Sequence, residues 1–257
     1  MKLFDSHCHY NDEKFDEDRD KIISQNLKEI SNAIISGYNL QSSKKAIEIA
    51  NQYNELFAIV GISPNDVQED INYEELEQLA KNPKVVGIGE IGLDYYWNKE
   101  NKELQKQVFI KQIQIANKLN LPIVIHCRDA QIDTIQILKE HTVNKKGVFH
   151  CCPLNRELIK EALKLDFYIS FSGNITFKNA KNAQDCIKQV PLNKQLIETD
   201  SPYMTPEPHR GTRNDPAKVK YVAEKIANTH GVPVEEVANQ TYQNTKKIFG
   251  MWSKSLN

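Results

Sequence analysis

The feature that most limits what this chain can fold into is a strict alternation. Short apolar runs rich in Ile, Val and Phe lie at 2–4, 33–35, 56–60, 85–89, 122–125, 147–149, 167–171 and 195–197. Between and after them come stretches of helical period, at 12–28, 41–52, 73–80, 102–119, 132–141, 155–165, 178–189 and 216–229, with a last one at 234–249 before a polar tail. The stretch 102–119 is the clearest, with Val108, Ile115 and Leu119 on one stripe and Phe109, Ile113 and Ala116 beside it. Strands that alternate with helices must pair in parallel. Eight such units in 257 residues predict an α/β fold, a (β/α)8 TIM barrel spanning 1–257 as one domain, since such barrels typically take about 250 residues.

A barrel of this kind gathers its chemistry at the carboxyl ends of its strands. What stands just after each apolar run is therefore informative. The first run leads into Phe4-Asp5-Ser6-His7-Cys8-His9. In an extended chain successive side chains alternate faces, so His7 and His9 point one way and Cys8 the other. Glu90 follows the fourth run, His126 the fifth, His150 the sixth and Asp200 the eighth.

Each residue alone has an ordinary reading. A single His at a strand end is more often a hydrogen-bonding core residue, and Asp200 before Ser201-Pro202 suits a turn. The stretch Gly87-Ile88-Gly89-Glu90-Ile91-Gly92 hints at a phosphate loop, but its spacing is wrong for a dinucleotide fingerprint. Jointly, six potential metal ligands at one barrel mouth are hard to obtain by accident. Four imidazoles with two carboxylates suit zinc or manganese and tolerate magnesium less comfortably. Six ligands exceed the three that one catalytic zinc takes, so two divalent ions sharing a carboxylate fit the count better.

Composition narrows the setting. A net charge of −1 provides no whole-molecule field for nucleic acid, so an anionic substrate must be held by local groups or by metal. The cysteines at 8, 127, 151, 152 and 186 show neither zinc-ribbon nor redox spacing and read as reduced thiols. Asp5 arrives before any apolar run could form a signal peptide, and no run approaches the ~20 apolar residues of a membrane span. A cytoplasmic protein without membrane attachment or obligate protein partner is expected. The longest irregular stretch, 201–215, is rich in Pro and Gly, and loops of that length in compact domains are usually functional or disordered.

The motifs together resemble the TatD-related metal-dependent hydrolases, usually described as deoxyribonucleases. The matching pieces are Phe4 to His9, Gly89-Glu90-Ile91-Gly92-Leu93-Asp94-Tyr95, Pro122 through Ala130 around His126, Gly147-Val148-Phe149-His150-Cys151, Glu198-Thr199-Asp200-Ser201-Pro202-Tyr203, and Pro208-His209-Arg210-Gly211-Thr212-Arg213-Asn214. They run in family order and cover nearly the whole chain. The resemblance implies an amidohydrolase-like barrel with two divalent ions (Zn2+, Mn2+ or Mg2+). One would be held by His7, His9, Glu90 and Asp200, and the second by a bridging Glu90 with His126 and His150. Two departures stand out. The family usually has a substrate-facing histidine before proline after the third strand, where this chain has Ser63-Pro64. After His150, family members tend to continue Cys-Phe-Ser-Gly, where this chain reads Cys151-Cys152-Pro153-Leu154. Neither departure removes a ligand.

The expected reaction is hydrolysis of a phosphodiester in DNA by water that the two ions activate to hydroxide, with Asp200 accepting its proton and Glu90 bridging. Arg128, Arg210 and Arg213 are candidate phosphate clamps, since guanidinium matches phosphate in a bidentate way, and His209 is a candidate helper. Basic and aromatic residues do not interleave along an extended groove, so strand ends or short single strands are the expected substrate. The alternative on the same centre is an ester or amide hydrolase, such as a D-aminoacyl-tRNA deacylase, because fold does not settle substrate. A binding module on a degenerate barrel is a third reading, disfavoured by the full ligand set.

Overall fold

In the computed structural model, which describes residues 1–251, β1 (Phe4–Cys8), β2 (Asn32–Ser36), β3 (Leu56–Val60), β4 (Val85–Asp94), β5 (Ile123–Arg128), β6 (Gly147–Phe149), β7 (Tyr168–Phe171) and β8 (Gln195–Ile197) lie side by side in chain order. Every adjacent pair is parallel. The chain returns between them through α1 (Arg19–Asn26), α2 (Leu40–Gln52), α3 (Tyr73–Leu79), α4 (Lys102–Leu119), α5 (Gln131–Glu140), α6 (Arg156–Lys164) and α7 (Ala183–Gln189), and ends in α8 (Val219–His230) and α9 (Val234–Ile248). The expected polar tail lies outside the described residues.

Two apolar layers hold this arrangement. One side chain from each strand fills the barrel: Phe4, Ile34, Ile59, Val86, Val124, Val148, Tyr168 and Leu196, with Phe249 closing the floor. The larger layer packs the outward strand faces against the helices, with Ile35, Ile88, Ile91, Leu93, Ile113 and Val222 among its members. A fully buried Ile, Leu or Phe contributes roughly 1.5–3 kcal/mol relative to exposure, so these layers supply the framework on which the polar mouth rests.

The seam between β8 and β1 is closed by a carboxylate as well as by backbone. Asp200 N–H donates to His7 O (2.9 Å) and His9 N–H to Ser201 O (2.7 Å). The Asp5 carboxylate accepts Thr199 N–H at 2.9 Å and the Thr199 hydroxyl at 2.5 Å.

Two strands depart from regular alternation, and both departures position the site. In β1 the register with β2 slips between Asp5 and Cys8. Phe4 points into the barrel, yet Cys8, which regular alternation would place on the same face, packs outward. The bulge thereby turns His7 and His9 inward. In β4 the register with β5 slips between Ile88 and Ile91, both of which pack outward. Gly89 and Glu90 lie within the slip, and Glu90 reaches the mouth. The strand does not stop at Gly89, as its apolar run suggests, but continues to Asp94. Gly92, at φ +136°, is required there, because a Cβ would stand 2.1 Å from His126 O.

Helix α4 anchors two of the mouth's loops with buried glutamines. Gln112 accepts Ile62 N–H at 2.8 Å and donates to Ile62 O at 2.9 Å. Gln105 accepts Asp94 N–H at 2.8 Å and donates to Asp94 O at 3.1 Å and to Asn98 O at 2.9 Å. Elsewhere helices are shorter than their periodicity suggests. The stretch 12–28 is a single turn at Glu13–Phe15 followed by α1, because the Asp12 side chain caps Lys14 N–H and Phe15 plugs against Tyr10.

Candidate metal centre

The mouth opens on a cavity of about 760 Å³ lined by His9, Glu90, His126, His150 and Asp200 among others; His7 lies fully buried behind them. All six predicted ligand residues come together. Their donor atoms fall into overlapping groups: His7 with His9 and Glu90, His7 with His150 and Asp200, and Glu90 with His126 and His150.

Glu90 sits between two histidine pairs. Its Oε1 is 2.8 Å from His126 Nδ1 and 3.1 Å from His150 Nε2. Its Oε2 faces the other way, 3.5 Å from His7 Nε2 and 3.9 Å from His9 Nε2. Asp200 Oδ1 adds a second carboxylate to that side, 3.2 Å from His9 Nε2 and 3.8 Å from His7 Nε2. Asp200 takes a left-handed conformation, φ +53°, one that Asp tolerates better than most residues.

Outer hydrogen bonds fix which nitrogen two of these histidines turn inward. His9 Nδ1 meets Ser36 O at 3.2 Å, and His126 Nε2 meets Asp94 Oδ2 at 2.9 Å. His150 Nδ1 lies 3.4 Å from Glu198 Oε1. The contacts of His9 and His126 call for N–H on the outer nitrogen and direct the other nitrogen's lone pair inward, while His150 Nδ1 and His7 Nδ1 are buried without a hydrogen-bond partner among the described residues. Inside, His7 Nε2 and His9 Nε2 are 3.3 Å apart, and His126 Nδ1 and His150 Nε2 are 3.2 Å apart. Two acceptors this close in a buried site repel unless a cation or proton lies between them. Tetrahedral ligands at about 2.0–2.1 Å from zinc are themselves about 3.3 Å apart. The donor set therefore fits divalent metal.

When no metal is bound, protons take that place between the nitrogens and carboxylates, and the charges respond. Burial pushes the Glu90 carboxyl up, but the charge of His150 and the hydrogen bonds of His126, His150 and His7 outweigh it and hold it well below the usual range. Burial pushes His9, His126 and His150 down, but their carboxylate neighbours win. Asp200 raises His9, Asp94 and Glu90 raise His126, and Glu90 and Glu198 raise His150 well above its usual value. His7 moves down, from burial and the charge of His150. The Asp200 carboxyl is lowered because His9 outweighs its burial.

Sequence reasoning gave no role to the carboxylates behind the histidines. Glu198 follows the eighth apolar run directly, so the signal that singled out Glu90 and Asp200 would have found it; Asp94 lies well past the fourth run, and only the continuation of β4 brings it to a strand end. Burial works against the Asp94 carboxyl, but the hydrogen bond with His126 prevails and it falls to about 2. Glu198 also accepts Cys151 N–H at 2.6 Å, which ties the unusual Cys151-Cys152 loop to His150. Asp5 at the seam was likewise given no role.

The predicted substrate contacts divide. Arg128 lines the cavity, its guanidinium 4.0 Å from the Tyr96 ring centre. Arg213 is not brought to the cavity: it makes a bidentate pair with Asp18, at 2.9 and 2.6 Å, and donates to Lys14 O at 2.6 Å. Arg210 lies over Phe177 at 3.8 Å and reaches Thr205 O. His209 meets the Tyr221 hydroxyl at 2.8 Å. These three brace the loop 201–215 on the helices around it. Ser63 lines the cavity, and its hydroxyl donates to Asp66 at 2.8 Å.

An eight-stranded parallel barrel with a histidine–carboxylate cluster at its mouth defines a class, the metal-dependent hydrolases. Comparison with known proteins narrows it. The chain matches the TatD related DNase model over residues 4–250 and belongs to that family. It is 41% identical over 253 residues to the uncharacterized metal-dependent hydrolase YabD of Bacillus subtilis, covering 96% of this chain and 98% of that one. It is 39% identical over 254 residues to the uncharacterized metal-dependent hydrolase YcfH of Escherichia coli K12, covering 97% and 96%. Among solved structures, the TatD homolog YJJV of Escherichia coli K12 superimposes with a TM-score of 0.91 at 26% identity, over 96% of this chain and 98% of that chain.

Proposed function

We propose that this chain hydrolyses phosphodiester bonds in DNA, at strand ends or in single strands, with two divalent ions held in the mouth. His7, His9, Glu90 and Asp200 would hold one, and Glu90, His126 and His150 the other. The observation that carries this reading is the division of Glu90, with one carboxylate oxygen toward each histidine pair. The family match, named for a DNase, supports the choice of a phosphodiester.

Ions held there would acidify water and offset charge on the non-bridging phosphate oxygens. The chain's own groups do the rest. Asp200 is ionised at neutral pH, held so by His9, and its place at the cavity wall suits it to take the proton of the attacking water. Asp94 orients His126 and keeps its outer nitrogen protonated, and the Glu198 carboxylate stands 3.4 Å behind His150 Nδ1. Arg128, at the rim, is placed to meet the phosphate or the base beside it. The apolar barrel interior beneath closes the site to water from below.

The test is reconstitution. Chelated protein is given zinc, manganese or magnesium in turn, then end-labelled single-stranded DNA, duplex DNA and, for comparison, an aminoacyl-tRNA. Metal-dependent shortening of labelled strands is expected. Nicking of a closed circle with no activity on free ends, or faster turnover of the acyl ester, contradicts the reading.

A further inference from the structure

Loop 95–98 carries an aromatic surface that the metal centre does not use. Trp97 is 67% exposed and Tyr96 48%, though both are large apolar rings beside a polar cavity. The rings meet edge to face at 4.8 Å, and the Arg128 guanidinium lies 4.0 Å from the Tyr96 centre and 5.4 Å from that of Trp97. Trp97 and Arg128 line the same cavity as the histidine–carboxylate cluster. A surface of this kind, left open at the rim of a site, usually marks contact with a ligand.

The surface is also held in register with the centre. Asp94 Oδ1 accepts Tyr96 N–H at 2.9 Å and Trp97 N–H at 3.0 Å, while Asp94 Oδ2 faces His126 Nε2 at 2.9 Å. One carboxylate thus fixes both the aromatic loop and a histidine of the centre. Gln105 of α4 secures the far end of the loop through Asn98 O. A ligand lying flat on Trp97 would have its neighbouring atoms presented to the cluster at a set distance, with little ordering left to do on binding.

Resting on the phosphodiesterase reading, we propose that Trp97, backed by Tyr96 and Arg128, is the stacking platform for the nucleobase beside the scissile linkage. A base offers a π-face that a phosphate, a sugar or an acyl chain lacks, and stacking on an aromatic ring tolerates any base. Inside a duplex both faces of a base are covered by its neighbours. The platform therefore selects bases at frayed ends or in single strands, and selects them without sequence preference.

The experiment uses the metal-loaded full-length enzyme and two single-stranded thymidine oligonucleotides. One is unmodified, and the other has a base-free tetrahydrofuran residue next to the cleaved linkage. The loss of the base is expected to lower kcat/KM about tenfold through KM, and Trp97→Ala to lower it about as much on the unmodified strand. The two losses overlap and do not multiply, and Trp97→Phe keeps most of what Trp97→Ala loses on the unmodified strand. Full multiplication of the losses, or a KM indifferent to both changes, overturns the platform while leaving the nuclease reading intact. Failure of the parent enzyme to cut either strand overturns the nuclease reading itself. A second measurement then decides the platform alone: in Trp252→Phe protein, the fluorescence of Trp97 is quenched by the unmodified strand and not by a wholly base-free one. Equal quenching by both strands, or none, removes it.

Discussion

Glu90 and His126 meet at 2.8 Å through Oε1 and Nδ1, and this contact leaves Oε2 of the same carboxylate turned toward His7. The two halves of the mouth are thus joined through one side chain from a bulged strand. Glu90→Gln keeps the shape but removes the negative charge and one of the two acceptor oxygens. Hydrolysis is expected to fall about 10²–10³-fold, the scale set by loss of one electrostatic group at a reacting centre. Metal content should fall on both sides, which metal analysis of folded protein will report.

Asp94→Asn removes the charge behind His126 without emptying its place. Loss of such an outer partner typically costs 10–100-fold in metal affinity. The expected result is weaker binding of one ion and not of both, read by competition with a chromogenic chelator. Equal weakening of both ions would mean that Asp94 acts through the fold as a whole.

Asp5 is the clasp of the barrel seam. Burial pushes its carboxyl well above the usual range, against the hydrogen bonds of Thr199. A neutral amide is therefore expected to be tolerated, and Asp5→Asn should melt close to the parent. Asp5→Ala leaves the Thr199 N–H and hydroxyl without their acceptor. That costs about 2 kcal/mol, or roughly 4–8 °C in Tm for a chain of this size. Scanning calorimetry of the two variants checks the difference.

Protons and metal compete for the same nitrogens. In chelated protein, His9, His126 and His150 are raised, so the stability they bring is present below the unfolded value of about 6.5 and is lost as pH climbs through their folded values. Glu90, Asp94 and Asp200 are lowered, so theirs is present above about 4 and is lost as pH falls. His7, lowered, opposes the other histidines. Chelated protein should be most stable between about pH 4.5 and 6.5. Metal binding needs neutral imidazoles and strengthens as pH rises. The Tm gap between zinc-loaded and chelated protein should widen from pH 6 to pH 8, and a constant or narrowing gap would count against the ligand set.

The barrel was legible because short continuous apolar runs alternate with period-3.6 patterns along the chain, and its mouth because strand-end residues were chemically unusual. The two bulges were not legible. Regular alternation correctly puts His7 and His9 on one face, but it also puts Phe4 and Cys8 on the opposite one, and Phe4 fills the barrel. Only the slip in β1 brings both Phe4 and the histidines inward, and a slip of register leaves no mark on composition. Glu90 is the same case in β4. Arg213 shows a different limit. Its bidentate partner Asp18 is almost two hundred positions away, so its sequence surroundings said nothing of the pairing. Trp97 was missed because its platform is built from two separate segments, 96–97 and 128.

Sharing of Glu90 by two ions is read most directly from the metal content of the parent protein and of the His7→Ala, His9→Ala double variant. Both are loaded with zinc, freed of excess, shown by circular dichroism to be folded, and measured by atomic emission. Two ions per chain are expected in the parent and one in the double variant, held by Glu90, His126 and His150. A single ion in the parent, or none in a folded double variant, contradicts it.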